Sequence, residues 1–134
     1  MILIVDDDYD IASLIKIILE KAGLFASFFT DPLMALVEFK SHSTDYDLVI
    51  SDIRMPIMNG YEFVQEVKMI KPSIKILLMS AFEYNDQYFA NTFSHSDIDG
   101  FVEKPISMHR LQTTILEILN NTKGTRYQTN LDTL

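Results

Sequence analysis

The chain has 134 residues, 48% hydrophobic and 22% charged, with no cysteine and a formal net charge of −8. That length fits one domain that buries a core without disulfides or a structural metal, and the composition is that of a folded chain. The acidic balance argues against nucleic-acid binding, which needs a basic face, and the missing thiols exclude a disulfide framework, a cysteine nucleophile, a zinc ribbon and a cysteine-held iron–sulfur cluster.

Ile2 to Val5 is a short apolar run rich in β-branched residues, which predicts a strand buried on both faces. With Met1 it stops at three aspartates, too short for a signal peptide or a membrane span and without a basic leader, so a soluble cytoplasmic protein is expected. Ile11, Leu14, Ile15, Ile18, Leu19 and Ala22 recur at helical spacing, and Gly23 is the stop. The aromatic-rich stretch from Leu24 to Phe29 predicts a second strand. Thr30-Asp31-Pro32 is a helix start, leading into Met34, Leu36, Val37 and Phe39. After a loop at His42 to Asp45, Leu48-Val49-Ile50 predicts a third buried strand ending at Ser51-Asp52. Ile53 to Asn59 is a loop carrying Pro56, and Gly60 opens a helix with Phe63, Val64, Val67 and Ile70. Ile74 to Met79 is the fourth strand. A polar, aromatic stretch from Phe82 to Phe93 reads as a weaker helix. Phe101-Val102 is a short fifth strand ending at Glu103-Lys104-Pro105. Ser107 caps a last helix with Met108, Leu111, Ile115, Ile118 and Leu119 on one stripe. The periodicity ends at Asn120, so 1–121 is expected to be the domain and 122–134 a polar tail or linker stub.

Strands and helices alternate five times with short connections, the pattern of an α/β fold with a parallel sheet covered on both faces. In such a doubly wound sheet, ligands bind beyond the carboxyl ends of the strands. Asp6, Asp7 and Asp8 follow strand one, Asp52 strand three, Ser80 strand four and Lys104 strand five. In a 2-1-3-4-5 order these strands are neighbours, and carboxylates, a hydroxyl and an ammonium converge on one edge. Each residue has a plainer reading. The first aspartates can cap a helix, the preferred reading for Asp8, Ser80 can do the same, and Lys104 can be a surface lysine. Their joint placement at strand ends favours a common site. Clustered carboxylates repel unless a cation resolves them, and an all-oxygen site suits Mg²⁺ or Mn²⁺. A carboxylate can accept a phosphoryl group, whose charge a lysine, a hydroxyl and a metal would stabilise. His95 and His109 fall in no metal-ligand spacing and read as surface residues.

Four blocks, Val5-Asp6-Asp7, Ser51 through Gly60 (SDIRMPIMNG), Met79-Ser80-Ala81 and Phe101 through Pro105, together resemble a response-regulator receiver domain of two-component signalling. The resemblance implies a flavodoxin-like (βα)5 fold of strand order 2-1-3-4-5. It implies Asp52 as phosphoacceptor, Asp6 and Asp7 as the acidic pair that organises Mg²⁺, with Asp7 a direct ligand, and the Arg54 carbonyl as a further ligand. It casts Ser80 and Phe101 as the switch pair, Lys104 as the phosphoryl-pairing lysine, and the Lys104–Pro105 bond as cis. The switch aromatic is Phe101 rather than tyrosine, and His95 to Asp99 replaces a common Gly-Ala turn.

The function so implied is a phosphoacceptor switch rather than an enzyme with an external substrate. Its catalysis is limited to its own phosphoryl transfer and slow autodephosphorylation. The expected phosphodonor is a sensor histidine kinase or a phosphotransfer protein. The expected output is a downstream protein or a homodimer, through the face formed by the fourth predicted helix, the fifth strand and the last helix. A stand-alone receiver and a piece of a longer regulator or hybrid kinase both fit this length. Two other readings compete: a small metal-dependent phosphohydrolase with an aspartyl-phosphate intermediate, and a flavodoxin-like ligand binder or degenerate receiver.

Overall fold

The computed structural model describes residues 1–81 and 97–120. Five parallel strands, β1 (Ile2–Val5), β2 (Ala26–Phe29), β3 (Leu48–Asp52), β4 (Lys75–Ser80) and β5 (Gly100–Glu103), form one sheet in the order β2-β1-β3-β4-β5. The helices are α1 (Tyr9–Lys21), α2 (Pro32–His42), α3 (Gly60–Ile70) and α4 (Met108–Asn120), with a single 3₁₀ turn at Ser43–Asp45. The order and architecture agree with the sequence reading. The helix expected over Phe82 to Phe93, His95 and the tail expected over 122–134 lie outside the described residues.

Alternation along the strands divides the core into two layers. Leu3, Val5, Val49, Ile76 and Leu78 pack on Ala35, Leu36 and Phe39 of α2 and on Phe63, Val64 and Val67 of α3. Ile2, Ile4, Leu48, Ile50, Leu77, Met79 and Val102 pack on Ala12, Ile15 and Leu19 of α1 and on Leu111, Ile115 and Ile118 of α4. The central strands are buried on both sides, as their unbroken apolar runs require.

The helix ends follow from side-chain and backbone hydrogen bonds. Asp8 caps α1, accepting from the backbone N–H groups of Asp10 and Ile11 at 3.0 and 3.3 Å. Asp31 caps α2 by accepting from Leu33, and Pro32 takes the first helical position. Ser107 caps α4, its hydroxyl accepting from the Arg110 N–H at 3.3 Å. The second strand starts later than its apolar run suggests, at Ala26 rather than Leu24. The Leu24 N–H donates back to Leu19 O and the Gly23 N–H to Glu20 O, so both residues close α1. Gly23 has φ +85°, the left-handed conformation this closure demands. Among the described residues, no helix is long and apolar enough to cross a membrane.

Asn59 and Glu62 form a reciprocal capping box at the start of α3. This sets the helix directly against the end of β3. A Cβ on Gly60 would lie 2.3 Å from the Asp52 carbonyl oxygen and 2.9 Å from Ile53 Cα, both backbone atoms. Only glycine fits. Gly60→Ala is therefore expected to cost about 1–3 kcal/mol of stability by overpacking. Urea unfolding measures it, and an unchanged midpoint would refute the close approach.

Candidate functional site

The parallel topology brings the ends of β1, β3, β4 and β5 to one edge of the sheet. Asp6 and Asp7 follow β1, Asp52 and Ser80 end β3 and β4, and Lys104 follows β5. The Lys104 N–H donates to the Ser80 carbonyl at 2.8 Å, clipping the last two ends together. The Lys104–Pro105 bond is cis, as the resemblance implies.

Lys104 Nζ sits between two carboxylates, 2.7 Å from Asp6 Oδ2 and 3.4 Å from Asp52 Oδ1. Asp6 is fully buried and Asp52 is 5% exposed. The other Asp6 oxygen accepts the Asp8 backbone N–H at 2.9 Å. Asp6 is thus held from both sides, by a cation and by the turn that starts α1. Asp6, Asp7 and Asp52 each bring a carboxylate oxygen within 4.8 Å of the others. One ammonium does not neutralise three carboxylates. Burial and then the charge of Asp6 push the Asp52 carboxyl up to about 6, against the opposing pull of Lys104. Burial draws Lys104 downward, but the hydrogen bond to Asp6 and the charge of Asp52 outweigh it and hold the ammonium above its ordinary value. The lysine is a firmly charged cation, and Asp52 is a carboxylate with a deficit of stabilisation.

The loop from Ile53 to Asn59 borders the site. The Ile53 N–H donates to Met79 O and the Gly60 N–H to Ile53 O, pinning both ends. Met55 is buried, whereas Arg54 and Pro56 are exposed. At the apex the Met58 N–H donates to Pro56 O at 2.8 Å, a γ-turn with Ile57 at φ +74°. Ile57 is 81% exposed. A β-branched residue in the left-handed region is strained. Ser80 is partly exposed, and Phe101 is partly buried against the layer under α2 and α3.

Every candidate residue on the described strands therefore lies on or beside one edge. Asp6, Asp7, Asp52 and Lys104 are in mutual reach. Arg54 lies in the bordering loop, and Phe101 stands further back in β5. Asp8 is a helix cap, the plainer of its two readings. His109 is an exposed residue at the start of α4. Gly60 was legible only as a helix start; its contact with the Asp52 backbone depends on tertiary packing. The Asn59-x-x-Glu62 spacing was the available signal for the cap.

The response regulator receiver domain family matches residues 2–116. The chain is 32% identical over 122 residues to the transcriptional regulatory protein ZraR of Klebsiella oxytoca, covering 91% of this chain and 27% of that protein. It is 31% identical over 128 residues to the response regulator SaeR of Staphylococcus aureus strain USA300, covering 95% of this chain and 54% of that one. The chain thus spans about a quarter to a half of the length of these relatives. Among solved structures, a CheY-like receiver domain protein from Methanospirillum hungatei JF-1 superposes with a TM-score of 0.78 at 26% identity, covering 89% of this chain and 92% of that one. A receiver domain protein from Clostridium thermocellum gives 0.79 at 24% identity, covering 89% and 93%. The sheet order, the convergent edge and these likenesses agree, and the chain belongs to the response regulator receiver domain family.

Proposed function

We propose that this receiver domain, spanning 1–121, takes a phosphoryl group on Asp52 from a sensor histidine kinase or phosphotransfer protein and thereby changes its partner-binding face. The observation that carries the reading is the buried Lys104 ammonium set between Asp6 and Asp52. Asp52 is the nucleophile: its carboxylate oxygen attacks phosphorus, the donor's P–N bond breaks, and the leaving imidazole takes up a proton. Its elevated pKa of about 6 still leaves it mainly ionised at neutral pH. Lys104 pairs with the phosphoryl oxygens, and the Ser80 hydroxyl donates to one of them. The loss of Ser80 from its resting position gives Phe101 room to move inward. The fifth strand and last helix, with the expected fourth helix, form the face read by a downstream protein or a second copy. Cytoplasmic residence fits a partner of this kind.

The oxygen-only donor set of Asp6, Asp7 and Asp52 fits Mg²⁺, or Mn²⁺. Asp7 and Asp52 would hold the ion directly with the Arg54 carbonyl, and Asp6 would organise the site. The bound ion supplies positive charge for the phosphoryl oxygens.

The decisive test is intact mass after incubation with Mg²⁺ and acetyl phosphate. The wild-type chain should gain one phosphoryl group, and Asp52→Asn should gain none. Undiminished labelling of that variant would remove Asp52 from its role.

Millimolar Mg²⁺ should raise the melting temperature, corresponding to about 1–3 kcal/mol well above the dissociation constant, because only the folded chain assembles the site. Asp7→Asn should lose that shift. A wild-type melting temperature indifferent to Mg²⁺ would count against the metal site.

Without metal, Asp52 should be a liability whose size depends on pH. Its carboxyl lies at about 6 folded against 3.8 when unperturbed, so the folded chain holds the proton more tightly. The associated stability is present below about pH 4 and is lost as pH rises through 6. Asp52→Asn carries no charge at any pH. In EDTA at pH 7.5 it should exceed wild type by about 1–3 kcal/mol, and the gap should narrow as pH falls to 5. Denaturant titrations of both proteins measure this; a gap that widens on acidification contradicts it.

A further inference from the structure

The edge that holds Asp52 is anionic well beyond the site itself. In a parallel sheet covered by helices, the helix starts gather at the carboxyl ends of the strands. Here those starts bring Asp8 and Asp10 of α1, Asp31 of α2 and Glu62 of α3, and β5 ends in Glu103. All five are exposed. With Asp6, Asp7 and Asp52 they make eight carboxylates. The basic side chains at the same edge, among the described residues, are Arg54, Lys104 and, in the first turn of α4, Arg110. Even a bound divalent ion leaves this edge negative. Five other lysines, Lys21, Lys40, Lys68, Lys71 and Lys75, lie toward the opposite edge, at helix ends and at the start of β4. A free acyl phosphate is a dianion at neutral pH and must approach Asp52 against this field.

A second, independent feature of the edge has no use for a small donor. Ile57, 81% exposed at the apex of its γ-turn, offers an apolar contact at the cost of backbone strain. A macromolecular surface can cover such a side chain; a small phosphodonor cannot.

Resting on the phosphoacceptor reading above, we propose that this edge filters phosphodonors by charge. It slows small dianionic donors and favours a protein donor that brings basic groups to the acidic rim and apolar surface to Ile57. The filter acts on approach, and Asp10, Asp31, Glu62 and Glu103 contribute to it without touching the reacting atoms. In the reaction with acetyl phosphate, the Asp52 oxygen forms its bond to phosphorus and acetate leaves with the electron pair of the broken bond.

The test compares initial labelling rates, by intact mass, with acetyl phosphate and with phosphoramidate, which carries less negative charge. Mg²⁺ is kept saturating while KCl rises from low to physiological levels and above. Screening should raise the acetyl phosphate rate about 3-fold or more, and the phosphoramidate rate by clearly less. The triple variant Asp10→Asn, Asp31→Asn, Glu103→Gln keeps the α2 cap, since Asn caps as well as Asp. It should label faster with acetyl phosphate at low salt and show a flatter salt dependence. An acetyl phosphate rate that is flat or falls with salt, or a variant indistinguishable from wild type, overturns the filter. No labelling at any salt would instead overturn the assignment of Asp52, so the two failures are distinguishable.

Discussion

Two buried carboxylates share one ammonium at the carboxyl edge of the sheet, and the remainder of the site is arranged around that imbalance. Lys104 lies 2.7 Å from Asp6 and 3.4 Å from Asp52, so it serves Asp6 more closely. Asp6 also accepts a backbone N–H, whereas Asp52 carries the elevated pKa. The asymmetry has a chemical consequence. A fully stabilised carboxylate would be a poor nucleophile, and an unpaired buried one would be protonated. Asp52 lies between these limits. An incoming cation or phosphoryl group therefore meets an electrostatic vacancy rather than displacing a settled ion pair.

The backbone around Asp52 is as constrained as its charge. The Ile53 N–H and the Gly60 approach lock the end of β3 from two directions. Between them the loop has one strained point, Ile57, with Met55 buried below. A rigid frame with strain confined to an exposed apex keeps the reacting carboxylate in place and leaves the apex to partners. This division fits a site that works through docking. The described connections also favour a receiver over a phosphohydrolase. From β1 to α1 and from β5 to α4 the chain needs only a few residues, and the seven residues from Ile53 to Asn59 are spent on the frame. None of these three connections adds a wall for a substrate pocket. A flavin binder would need a phosphate-cradling loop at the first of them, and Asp6, Asp7 and Asp8 stand there instead.

The parts of this structure that could be read from the chain are those governed by local chemistry. Ile2 to Val5 and Leu48 to Ile50 are uninterrupted apolar runs, and no other arrangement than a doubly covered strand buries them. Asp31-Pro32 and Ser107 announce helix starts because a cap acceptor must precede a helix. The convergence of Asp6, Asp52 and Lys104 was legible because parallel topology makes strand ends neighbours, whatever the separation in sequence. What escaped was set by tertiary contact. Leu24 has the apolarity of a strand residue but closes α1, because the backbone N–H must reach Leu19. The need for glycine at position 60 arises from a carbonyl eight residues earlier, which no local pattern encodes. The left-handed Ile57 defies its own propensity and can be recognised only from the backbone.

The switch expected at Ser80 and Phe101 has a geometric basis in strand register. Phe101 stands opposite Leu78, and Glu103 opposite Ser80. Side chains two positions apart share a face, so Ser80, Leu78 and Phe101 belong to the same side of the sheet. That side is the layer under α2 and α3, against which Phe101 already packs. On the reading proposed above, a hydroxyl drawn toward a phosphoryl group would open space on the face where the ring lies. Full burial of an exposed aromatic ring is worth about 1.5–3 kcal/mol, but Phe101 is partly buried from the start, so only a fraction of that remains to be gained. A tyrosine would add a hydroxyl that needs a partner when buried, and Phe101 has no such group. Two nearly balanced ring positions follow from these small differences. A modest differential interaction at Asp52 is then enough to move the population, since a shift of 1.4 kcal/mol changes the ratio tenfold.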